Sequence, residues 1–201
     1  MKIVELIQGS PNWLEWRRSH ITGTSAAVLM DHNPWKTPID LFEEMLEISI
    51  PQPMNSRMQR GHDLEPIARD LFIEQSGITF EPIVAESDEF PWMGASLDGW
   101  NEDNKAILEI KCPSDRSHND ALLGIVAEYY VDQCQHALGV TGGDICYYVS
   151  YHPEHSNKLA VVEIKPDVDY IKQIIEVERK FYEENLCQFK VPGWTLKSKR
   201  K

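Results

Sequence analysis

The sequence predicts an α/β (α+β) fold, a central mixed β-sheet flanked by helices, on three observations. Between residues 78 and 112, and again between 144 and 165, apolar residues run at the alternating or continuous spacing of strands. Before, between and after these stretches they recur at the three-to-four-residue spacing of helices. Strands in the middle with helices on both sides suit a layered domain. The 201 residues are expected to form a single domain, with a core over about residues 8–190.

Ser10 and Pro11 open the first helix, residues 10–19: a hydroxyl caps orphan amides, and proline suits the first helical position. A second short helix is predicted over 24–30, broken by His32-Asn33-Pro34-Trp35-Lys36. A third begins at Thr37-Pro38 and runs to residue 48, before Pro51 and Pro53 end the segment. A longer helix covers 56–75, with Leu64, Ala68, Leu71 and Phe72 at helical spacing and Gly77 as its C-terminal cap. Residues 78–86 are extended, interrupted by Pro82. Two strands, 92–97 and 105–112, are joined by a turn that starts at Asp98-Gly99 and ends at Asn104. A helix resumes over 117–138. Gly142-Gly143 lead into a fourth strand at 144–151, and residues 158–165 make a fifth. A last helix fills 167–188, and the basic tail over about 195–201 is expected to fray. The sheet is thus expected to hold four to five strands.

Bulk properties narrow the function. No apolar run approaches the roughly 20 residues of a membrane span, and the N-terminus has no signal region, so a soluble, cytoplasmic protein is expected. Cys112, Cys134, Cys146 and Cys187 are scattered; they form no C-x-x-C signature and are expected to be reduced and mostly buried. Twenty basic against 32 acidic residues give a net charge of −12. That speaks against a protein that coats nucleic acid through a basic face, while leaving room for a locally basic channel.

The chemistry gathers around Leu108-Glu109-Ile110-Lys111. Residues two apart on a strand share a face, so Glu109 and Lys111 point one way and Leu108 and Ile110 the other. Asp98 ends the preceding predicted strand, and so short a connection favours a hairpin that returns it beside Glu109. Phosphodiester cleavage uses such groups. Mg²⁺ takes carboxylate oxygens, one or two ions activate water, and a lysine orients or deprotonates that water while its charge stabilises the phosphorane. In that reading Asp98, Glu109 and the Ile110 carbonyl are metal ligands. The structural alternative is a hairpin with a cross-strand salt bridge.

Other residues carry two readings each. Glu65 shares a helical stripe with Ala68 and Phe72, so it is either a solvated edge carboxylate or a third acidic ligand. Gln133 and Gln135 cannot share a helix face, so at most one points into a site. Trp13, Trp16, Arg17 and Arg18 suit a phosphate or DNA end, and equally suit packing and solubility.

The order of the pieces resembles the phage lambda exonuclease, or YqaJ-type viral recombinase, family of restriction-endonuclease-like nucleases. The matching segments are WLEWRRSHITGTSAA at 13–27, NPWKTP at 33–38, RGHDLEPIAR at 60–69, SLDG at 96–99, LEIKCP at 108–113 and YVDQCQ at 130–135. The resemblance implies that Asp98, Glu109 and Lys111 form the catalytic core and that Glu65 is the helical acid of the site. It implies that Arg17 holds the 5′-phosphate, with Thr24 and Ser96 around it, and that Gln135 or Gln133 lies near the site. Leu97 stands where the family often has proline, and Thr24 where serine is common. The implied activity is Mg²⁺-dependent 5′→3′ digestion of one strand of linear double-stranded DNA to mononucleotides, with two ions per site and Mn²⁺ able to substitute. The remaining 3′ strand would pass to a single-strand annealing protein, and a homotrimer ring is implied. An endonuclease of the same fold, and a non-enzymatic acidic interaction module, are the competing readings.

Overall fold

The computed structural model describes residues 1–49 and 55–187. Pro51, Pro53, the end of the last predicted helix at Gln188 and the basic tail lie outside the described residues. Six strands form one sheet in sequence order: β1 (Lys2–Val4), β2 (Glu81–Glu86), β3 (Gly94–Asn101), β4 (Ala106–Lys111), β5 (Ile145–Tyr151) and β6 (Leu159–Ile164). Every neighbouring pair is antiparallel except β4 and β5, which are parallel. A parallel pair needs a long crossover. Here α5 (Asp115–Leu122) and α6 (Glu128–Thr141) supply it.

β4 is the centre of this α+β arrangement. Its first five residues are buried, as expected for a strand covered on both faces. Ala106, Leu108 and Ile110 pack with Ala68 and Phe72 of α4 (Ser56–Ser76). Ile107 packs with Ala137 and Leu138 of α6. Each fully buried Leu, Ile or Phe contributes roughly 1.5–3 kcal/mol, so this two-sided burial fixes β4 firmly. A third cluster of Ile21, Val28, Leu41, Met45 and Phe181 joins α2 (Gly23–Leu29), α3 (Pro38–Met45) and α7 (Val168–Phe181). α1 (Pro11–Arg18) precedes them, and a π-helical turn, Tyr182–Leu186, follows α7.

Three expectations are corrected. A sixth strand, β1, pairs with β2 through Lys2↔Glu86 to Val4↔Val84; three residues are too few for a sequence period to register. The strand expected over 92–97 is β3, and it continues through Asp98 and Gly99 to Asn101, so the turn lies beyond them at 102–105. The single helix expected over 117–138 is two helices. Gly124 takes a left-handed conformation, φ 79°, and Leu123 is already the C-cap of α5. The remaining helices form where expected: Ser10 accepts from Trp13 N–H, Thr37 and Asp40 make a capping box, and Gly77 ends α4. The four cysteines are free; Cys134 and Cys146 are buried, Cys112 half-buried and Cys187 exposed.

Candidate active site

The site begins where the β3–β4 ladder stops. Its last backbone pair is Gly99↔Leu108. One further step of that register sets Asp98 opposite Glu109. There the Asp98 carboxylate takes over, accepting from the Ile110 N–H at 2.7 Å. Glu109 is only 8% exposed and accepts from the Lys111 ammonium beside it on the same strand face. The Lys111 Nζ also lies 5.4 Å from the centre of the Tyr130 ring, which α6 brings over the sheet. Burial pushes the Asp98 carboxyl up to about 8, and the charges of Glu109 and Glu65 add to this, against Lys111 and the Ile110 N–H. Burial draws Lys111 down, but Glu109 and Asp98 overcome it and hold the ammonium well above its ordinary value.

α4 delivers Glu65 to the same groove, a cavity of about 1000 Å³ that Asp98, Ile110 and Lys111 also line. Glu65 accepts from Arg69 Nη2 at 2.5 Å, one helical turn on. Arg69 Nε in turn donates to the Asp98 carbonyl oxygen at 2.7 Å, pinning α4 to β3. Among the described residues no group of three or more His, Cys, Asp or Glu side chains is placed to hold a metal ion. Each acid turns an oxygen to a neighbour of its own: Asp98 to the Ile110 amide, Glu109 to Lys111, Glu65 to Arg69. The pair Asp98 and Glu109 nevertheless suits a divalent cation. Burial first, and the charge of Glu109 second, raise the Asp98 carboxyl, and a cation would relieve that repulsion.

α1 and α2 close one end. The Arg17 guanidinium lies 4.8 Å from the Trp13 ring centre, and Trp13 Nε1 donates to the Ser96 hydroxyl at 3.0 Å. Ser96 shares its strand face with Asp98. Burial lowers Arg17 from its ordinary value, and the charge of Glu109 partly restores it, so the guanidinium is within electrostatic reach of Glu109. Burial and Arg17 together lower Lys36. Thr24 is exposed and lines the groove. Gly94 permits the close approach of α1: a Cβ there would meet the Trp16 ring at 2.6 Å. Arg18 faces elsewhere and pairs with Glu47.

The two glutamines separate. Gln133 lines the groove. Gln135 does not: it is buried, donates to the Lys165 carbonyl at 2.9 Å and accepts from the Asp167 N–H at 3.0 Å. Its amide is committed to the β6–α7 connection, so of the two glutamines expected near the site, Gln133 rather than Gln135 is the one beside it. Residues two apart on a helix are turned about 200° from each other at 3.6 residues per turn. Sequence reasoning missed Arg69, Lys36 and Tyr130. Arg69 carried a signal, its four-residue spacing from Glu65.

The fold is close to that of an alkaline exonuclease, LHK-Exo, from Laribacter hongkongensis. The TM-score is 0.79 at 25% identity, covering 90% of this chain and 95% of that one. In sequence, the chain is 28% identical over 186 residues to the uncharacterized protein YqaJ of Bacillus subtilis, and 29% identical over 164 residues to the uncharacterized protein R354 of Acanthamoeba polyphaga mimivirus. The matches cover 90% and 74% of this chain but 58% and 30% of those two relatives. Residues 12–144 match the YqaJ-like viral recombinase domain, a span that runs from α1 through α6 and includes Arg17, Lys36, Glu65, Arg69, Asp98, Glu109 and Lys111. The chain belongs to the YqaJ-like viral recombinase family.

Proposed function

We propose that this chain is a Mg²⁺-dependent exonuclease that digests one strand of linear double-stranded DNA from a 5′-phosphorylated end. The observation that carries the reading is that Asp98 and Lys111 line one groove, with Glu109 paired to Lys111 and Arg17 within electrostatic reach of Glu109. The Asp98 and Glu109 carboxylates and the Ile110 carbonyl would hold Mg²⁺, or Mn²⁺ in its place. When bound there, such an ion would supply an activated water and stabilise the leaving oxygen. Lys111 stays protonated between Glu109 and Asp98, so it acts as a donor: its ammonium orients the attacking water and offsets the charge that builds on the phosphorus oxygens. Arg69 fixes Glu65 and the Asp98 backbone, which sets the direction in which Asp98 would offer its carboxylate to the metal. The Arg17 guanidinium grips the terminal phosphate with two parallel N–H groups, a geometry that a lysine cannot reproduce. The LHK-Exo likeness supports this reading, since that protein is an alkaline exonuclease of the same fold.

The test is nucleotide release from linear, 5′-phosphorylated duplex with Mg²⁺, beside circular duplex and EDTA controls. Asp98→Ala, Glu109→Ala and Lys111→Ala are each expected to lower the rate at least about a hundredfold while the protein stays folded. Cleavage of circular duplex at a comparable rate would replace the exonuclease by an endonuclease. Near-normal turnover in any of the three variants would overturn the site.

A further inference from the structure

We infer that Trp35 and Tyr129 form a stacking platform for an unpaired nucleobase at the end of the DNA being digested, an inference that depends on the nuclease reading for its substrate. Trp35 is 74% exposed, an unusual place for the largest apolar side chain. It is not left loose. Pro34 precedes it, its N–H donates to the Asn33 side-chain oxygen at 2.9 Å, and its ring meets Tyr129 at 5.2 Å and 76°. Asn33, Pro34 and the tyrosine thus hold an indole that stays largely exposed.

The surroundings select the occupant. Trp35 and Tyr129 line the same groove as Asp98 and Lys111. The aromatic series continues inward: Tyr129 meets Tyr130 at 4.3 Å, and Lys111 Nζ stands 5.4 Å from the Tyr130 ring. Three steps of 5.2, 4.3 and 5.4 Å laid end to end span no more than about four nucleotides at the duplex rise of about 3.4 Å. Lys36 follows Trp35 in the chain, and its lowered ammonium feels Arg17. Open aromatic faces beside cations are how single strands are held without regard to sequence. Bases inside a duplex have both faces covered by their neighbours. The platform therefore takes a base only once it is unstacked, which places it at the frayed end rather than along the helix.

Binding is measured in EDTA, so that no strand is cut, by the fluorescence anisotropy of a labelled 5′-phosphorylated oligothymidylate. A second probe is the same strand with its terminal nucleotides abasic. Wild type is expected to bind the base-bearing strand about tenfold more tightly than the abasic one, in line with the usual worth of one stacked base. Trp35→Ala should bring the two to equal affinity, and Trp35→Phe should keep most of the difference. A thermal midpoint equal to wild type shows that Trp35→Ala is folded, as its exposure leads one to expect. A difference that persists in Trp35→Ala overturns the platform, as does a wild type that binds both strands equally or neither. Nucleotide release by wild type with Mg²⁺ is scored separately, so a protein that cuts DNA without discriminating abasic ends loses only the platform. A protein that discriminates but never cuts loses only the nuclease.

Discussion

At the scale of single residues, the site works by setting neighbours against their preferred charge states. Asp98 is held up near 8 and Lys111 above its ordinary value, so each holds its proton more tightly than it would in water. The proposed metal binding would require Asp98 to lose that proton, which would couple affinity to pH. Arg17 is the opposite case, a guanidinium that burial has deprived of water and that finds no fully compensating carboxylate. A terminal phosphate, with more charge than an internal one, is the ligand that such a group discriminates best. We expect wild type to favour a 5′-phosphorylated over a 5′-hydroxyl end, and Arg17→Ala to erase most of that preference, about 1.5–3 kcal/mol for one charge-assisted contact. Arg18→Ala should leave it intact, since Arg18 is paired with Glu47. Initial rates on the two end types check this, and an undiminished preference in Arg17→Ala would remove Arg17 from the phosphate pocket. Asp98, Glu109 and Lys111 were legible in the sequence because strand periodicity puts 109 and 111 on one face and a short connection returns 98. Lys36 and Tyr130 were not, because their relation to Arg17 and Lys111 exists only after α1, α6 and the sheet have packed.

At the scale of elements, the glutamines on α6 show how a helix divides its labour. Gln135 joins the Lys165 carbonyl to the Asp167 N–H, and Asp167 is the N-cap of α7. Gln135→Ala is therefore expected to cost roughly 1–3 kcal/mol of stability, the penalty of buried groups left unsatisfied, with turnover unchanged. Gln133→Ala should do the reverse. Denaturant midpoints and initial rates on the two variants decide it, and loss of turnover at full stability in Gln135→Ala would return Gln135 to the catalytic set. The helices with caps were legible to within a few residues: Ser10, Thr37 and Gly77 are chemical punctuation. The break inside 117–138 was not, because Leu122, Leu123, Ile125 and Val126 sustain an apolar pattern across Gly124 and only its left-handed backbone interrupts the helix. β3 was cut short for a related reason. Asp98-Gly99 reads as a turn, whereas in the sheet Gly99 is the strand residue for which Phe80 and Leu108 leave no space, a Cβ there lying 2.7 Å from Phe80.

At the scale of the whole molecule, an acidic body of net charge −12 sets Arg57, Arg60 and Lys111 on one groove, with Arg69 paired to Glu65 there, so its positive charge is local. The groove's geometry depends on how α6 and α7 sit against β3, and one buried pair joins all three. His136 on α6 meets Glu178 on α7 through Nδ1 and Oε1 at 2.6 Å, and its Nε2 meets the Gly94 carbonyl at 2.9 Å. Both histidine and glutamate are buried. The carbonyl can only accept, so Nε2 carries a proton; the 2.6 Å contact needs one more, on either partner. Burial pushes Glu178 up, and although burial opposes it, the charge of Glu178 and the Gly94 carbonyl hold His136 up, so the pair keeps that second proton. In the unfolded chain histidine gives its proton up near pH 6.5. The folded state therefore binds more protons above that pH, and its stability, complete below about 6.5, falls as pH rises, by at most about 1.4 kcal/mol per unit. Glu178→Gln offers an amide N–H to a neutral His136 Nδ1 and needs no extra proton, so its stability should be flatter over the same range. Asp98, raised in both proteins, also weakens the metal-free fold between its unfolded value near 4 and about 8, but it cancels in the difference between wild type and variant. Denaturant unfolding of the two proteins at pH 6, 7, 8 and 9 measures that difference. A difference that stays constant with pH would mean that the pair releases its proton like an unfolded histidine, so that only the His136 Nε2–H to the Gly94 carbonyl persists, joining α6 to β3 without α7.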